Sequence, residues 1–62
     1  MKREDDVYLQ HILDAIERID LYLRGKDRAI FKRDSLLQDG VIRQLEIIGE
    51  ATKWLSKTFS AN

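Results

Sequence analysis

Sixty-two residues allow one small domain, and below roughly 70 to 80 residues one hydrophobic core rarely supplies more than about 3 to 5 kcal/mol without a staple or a partner. With no cysteine and a single histidine, neither a disulfide nor a zinc centre is available as that staple, and no metal or cofactor is expected. Eleven Lys and Arg balance eleven Asp and Glu, which excludes a global field for gathering nucleic acid or an anionic membrane surface.

The charged start MKREDD lacks the apolar core of a signal peptide, and no run of apolar residues is long enough for a membrane span. A soluble cytoplasmic chain is the expectation. Helix one is predicted over about residues 5–23. At helical spacing, Tyr8, Leu9, Ile12, Leu13, Ala15, Ile16, Ile19, Tyr22 and Leu23 fall within one half of its circumference. Asp5 and Asp6 suit its positive N-terminus, Arg24 its last turn, and Gly25 is placed to end it.

A connector over residues 24–34 follows, with a short helical turn capped by Asp27 and pinned to the core by Ile30 and Phe31. A strand through Ala29, Ile30 and Phe31 is the rival reading, but an isolated strand has no partner here. The basic residues Arg24, Lys26, Arg28, Lys32 and Arg33 are interleaved with Asp27 and Asp34, so a solvated connector is preferred over an RNA contact.

Helix two is predicted over about residues 35–57, capped by Asp34 or Ser35. One of its stripes holds Leu37, Val41, Leu45, Ile48, Ala51, Thr52 and Leu55. A second holds Leu36, Ile47 and Trp54. One facing helix covers a stripe only a little wider than 100°, so Leu36, Ile47 and Trp54 are expected to form an interface with further helices or a second subunit. Gly49, costly inside a helix, is expected to admit a close neighbour, and Gly40 to mark a kink or a loose cap. Gln44 points toward the apolar side and needs a hydrogen-bond partner if buried.

The residues Tyr8-Leu9-Gln10-His11-Ile12-Leu13-Asp14-Ala15-Ile16 and Gly40-Val41-Ile42-Arg43-Gln44-Leu45-Glu46-Ile47-Ile48-Gly49-Glu50-Ala51, in that order, resemble the HepT-like toxins of the HEPN helical-bundle superfamily. The run IRQLEIIGEA is the specific part of the match. The resemblance implies an all-α fold in which an antiparallel helical hairpin forms part of an up-down bundle that dimerises. It also implies a ribonuclease, silenced when a partner minimal nucleotidyltransferase antitoxin adds AMP to a tyrosine.

The catalytic motif of that family, Arg-x4-His-x-Tyr, is absent. His11 has Asp6 five residues before it and Leu13 two after it, and no other histidine exists. No catalytic residue is therefore assigned, and the chain corresponds to the N-terminal half of the family's domain, with RNA as a partner only if the C-terminal half is present.

Individual residues read mostly as structural. His11 is a border histidine of the apolar stripe near Arg18, Asp20 a pairing partner for a base such as Arg43, and Tyr8 and Tyr22 are core aromatics with wet hydroxyls. Arg43, Glu46, Glu50 and Lys53 form a solvated face of spaced charge pairs. By resemblance alone, Glu50 has a minor claim to orient the missing catalytic histidine. The alternative to an enzyme is a non-catalytic helical module that binds the nucleotidyltransferase or dimerises.

Overall fold

The computed structural model describes residues 3–60, with side chains through Lys57, as three helices: α1 Arg3–Leu23, α2 Arg28–Arg33 and α3 Ser35–Ser60. Met1 and Lys2 of the charged start and Ala61 and Asn62 of the KTFSAN ending lie outside the described residues. The fold is all-α. Helix α1 begins two residues before the predicted start and α3 continues three beyond the predicted end. Apolar periodicity fades there, while the backbone hydrogen bonds that define a helix continue through polar residues.

Local chemistry places the breaks. Gly25 takes φ +75, and around it the Arg24 N–H donates to the Asp20 carbonyl and the Lys26 N–H to the Leu23 carbonyl, both at 2.9 Å. The Asp27 carboxylate accepts from the Ile30 N–H at 2.8 Å and starts α2. Of the two candidates for the next cap, Asp34 serves, accepting from the Leu37 N–H at 2.9 Å. Gln38 Nε2 then donates to the carbonyls of Phe31 and Lys32 at 2.8 and 3.0 Å, tying the end of α2 to α3. Loss of the cap in Asp34→Ala is expected to lower stability by about 1 kcal/mol, read as a shift in denaturant midpoint. An unmoved midpoint would show that water replaces the carboxylate without loss.

Helices α1 and α3 pack antiparallel, with Tyr22 beside Gly40 at the connector end and His11 beside Ile47 further along. The molecule is a rod of 45 × 15 × 14 Å. That is two helices thick and no more, so few side chains lie far from solvent. Among the described residues the buried apolar ones are Ala15, Val41 and Ala51, two of them small enough to let the helices approach closely. Tyr8, Leu9, Ile12, Ile19, Leu37, Ile48 and Leu55 are half-buried along the same seam.

Several expectations are corrected. Leu13, Ile16 and Leu45, predicted as core, are each more than half exposed, and Thr52 is exposed with its Oγ1 donating to the Ile48 carbonyl at 2.7 Å. The apolar half-circumference is wider than the strip one partner helix covers. Asp20 pairs with Arg24, four residues on and just past the end of α1, instead of with Arg43.

The close neighbour expected at Gly49 is found at Gly40. A Cβ built on Gly40 meets the Tyr22 ring at 3.4 Å, whereas one on Gly49 meets nothing within 4 Å. Gly49→Ala is therefore expected to raise stability by up to about 1 kcal/mol, while Gly40→Leu, which drives a branched side chain into Tyr22, lowers it. Thermal melts of the two variants moving in the same direction would refute this assignment.

Candidate functional site

The hairpin has two unlike sides. On one, helical spacing gathers Leu9, Leu13, Ile16, Asp20 and Leu23 of α1 beside Ile42, Leu45, Gly49, Thr52 and Ser56 of α3. Only Asp20 is charged among them. The opposite side mixes charged and exposed apolar residues, with Val7, His11, Asp14, Arg18 and Leu21 of α1 beside Leu36, Arg43, Ile47, Glu50 and Trp54 of α3.

On the polar side, His11, Asp14, Ala15, Arg18, Gln44 and Ile47 enclose a groove of about 260 Å³. His11 and Arg18 lie seven residues apart on α1, two turns along one face, so the helix alone brings them together. Gln10 Nε2 donates to Asp14 Oδ1 at 2.9 Å and steadies that carboxylate. Gln44 is the residue that sets the groove apart. It is 4% exposed, yet among the described residues its carboxamide makes no side-chain hydrogen bond within the protein and opens onto the groove. Its polar atoms are not sealed from solvent and can be hydrogen-bonded from the groove side. The signal legible in the sequence was a lone glutamine inside an apolar stripe.

Nearer the C-terminal end of α3, Trp54 Nε1 donates to Glu50 Oε1 at 2.9 Å. Lys57 Nζ stands 4.6 Å and Lys53 Nζ 5.9 Å from the centre of the indole ring, within cation–π range. The Glu50 carboxylate thus fixes an aromatic of its own helix. Of the three expected interface residues, Leu36 is 82% and Trp54 41% exposed, while Ile47 is half-buried as one wall of the groove. Helix α1 does reach Ile47, because Ala15 opposite it is too small to hold the helices apart there.

At the connector end, Leu21, Tyr22, Lys26, Asp34, Leu36, Leu37 and Gly40 line a larger hollow of about 500 Å³. Among the described residues no cluster of His, Asp or Glu is arranged to hold a metal ion, and no helix is long and apolar enough to cross a membrane.

Residues 12–62 match the family described as Ribonuclease HepT-like. Among curated relatives, a Thermococcus cleftensis protein named "Probable ribonuclease HepT" is 44% identical over 59 residues, covering 95% of this chain and 54% of the relative. A Methanocaldococcus jannaschii protein, named for gamma-glutamylcyclotransferase and provisionally for an RNase, is 46% identical over 59 residues, 95% of this chain and 27% of the relative. A Caldanaerobacter subterraneus subsp. tengcongensis protein named provisionally as an RNase is 42% identical over 52 residues, 84% of this chain and 46% of the relative. The chain therefore spans between about a quarter and just over half of the length of these relatives. No solved structure matches it.

Proposed function

This chain belongs to the HepT-like ribonuclease family, and on that premise we propose that it is the helical-hairpin portion of a protein that cleaves RNA as the toxin of a toxin-antitoxin pair. The observation that supports this reading best is the contrast between the two sides of the hairpin. An almost uncharged face suits packing against further helices, and a polar face with His11, Arg18, Arg43 and Trp54 suits contact with a charged strand.

The hairpin's part is to build the bundle and the wall beside the substrate, because the sequence has one histidine and no Arg-x4-His-x-Tyr segment. Cleavage through a 2′-hydroxyl needs a proton-transfer group and a cation for the phosphate converging on one bond. Those groups come from outside this sequence. The unmatched length of the relatives leaves room for them.

By the same family reading, the protein forms a homodimer in the cytoplasm and is regulated by a minimal nucleotidyltransferase that modifies a tyrosine. Leu36 and Trp54, exposed toward opposite ends of α3, are proposed to contribute to an interface; Ile47, the third residue expected there, is instead a half-buried wall of the groove. The rival reading, a non-catalytic module docking on the nucleotidyltransferase or on itself, draws on the same exposed apolar residues.

The test is the intact mass of the protein made from its native reading frame, together with its action on single-stranded RNA. A mass well above the 7.3 kDa of this sequence, with cleavage, is the expected result. A 7.3 kDa product inert toward RNA would overturn the enzymatic reading in favour of the docking module.

A further inference from the structure

We infer that the groove between α1 and α3 is a base-binding pocket that selects adenine in a single-stranded RNA, with Gln44 reading the base edge. Adenine rather than RNA in general is named because of what the groove presents. A carboxamide offers an acceptor and donors side by side, the pattern that pairs in bidentate fashion with the amino group and N7 of adenine. Gln44 is buried without an internal partner, so its donors and acceptor are available in the one direction left open.

The remaining lining fits the same ligand. Asp14, held by Gln10, is a second acceptor for an exocyclic amine. Ala15 and Ile47 give apolar surface for a planar ring, and the His11 ring is suited to stacking on it. Arg18 at the rim supplies a cation for the adjoining phosphate. At about 260 Å³ the groove falls below the roughly 300 to 1,000 Å³ of drug-sized sites, room for one base rather than an extended ligand. It lies on the polar side of the hairpin, so covering the apolar side with further helices leaves it open.

The choice of an RNA base over another heterocycle rests on the ribonuclease reading, so binding and cleavage are measured separately. The protein from the native reading frame is titrated with single-stranded hexanucleotides that differ in one base, adenine against uracil, cytosine or guanine, and with free 5′-AMP. The expected result is at least tenfold tighter binding of the adenine strand than of the uracil strand, with NMR shifts of the Gln44 side-chain amide and the His11 ring. Gln44→Leu, with helix content retained, erases the preference. Arg18→Gln, at an exposed position, weakens all strands alike and keeps it.

Comparable binding of 5′-AMP and the adenine strand would place the site's ligand as a free nucleotide and overturn the RNA assignment. A base preference under twofold, or one that survives in Gln44→Leu, overturns the pocket itself. Cleavage of a uracil-only strand by the unaltered protein shows whether the ribonuclease reading stands when the pocket fails.

Discussion

Val41→Asp is expected to unfold the hairpin at room temperature, seen as loss of most of the helical circular dichroism. Among the described residues Val41 is one of three buried apolar side chains, in the seam between α1 and α3 near the connector end. Val41 is 8% exposed, so an aspartate there is a buried carboxylate, and a buried charge left uncompensated costs about 3 to 5 kcal/mol. A domain of this size has roughly 3 to 5 kcal/mol in total, so one substitution removes all of it. The neighbouring change Ile42→Asp is the control, since Ile42 is half exposed on the open side. Val41→Asp retaining native helicity would mean that the seam is not where the hairpin's stability resides.

The second large effect is expected at Ile16 and Leu45. Both are more than half exposed, on α1 and α3 respectively, and both lie on the nearly uncharged side. In the protein from the native reading frame, Ile16→Glu combined with Leu45→Glu is expected to leave α1 and α3 helical and to break the packing on that side. The first sign is dye binding to newly exposed apolar surface, with a fall in thermal midpoint of 10 °C or more, on the order of two buried aliphatic side chains lost at about 1.5 to 3 kcal/mol each. A double variant that melts like the parent would show that this side faces water in the native protein.

The same double variant separates bundle packing from association. Light scattering on Leu36→Asp with Trp54→Asp, positions on the other side of α3, is the complementary measurement. A lower mass in that pair alone would assign the subunit contact to the polar side.

The sequence by itself determined the breaks, the class and the family. Gly25, Asp27 and Asp34 act within three or four residues of themselves, through a positive φ or a carboxylate reaching a nearby N–H, so their effects are written locally. The all-α hairpin follows from apolar spacing in two long segments, and the run IRQLEIIGEA carried the family resemblance.

Tertiary structure alone decided which part of each wide apolar stripe is covered. Val41, Gln44, Ile48, Ala51 and Leu55 lie along the seam, whereas Leu45, equally apolar and on the same predicted stripe, does not. The choice depends on the rotation of one helix against the other, a property of the pair. For the same reason Gly40, not Gly49, meets Tyr22, and Gln44 lies buried facing an open groove. Helical periodicity states how much surface wants burial; only the close approach allowed by Ala15 and Ala51 fixes where the second helix lies.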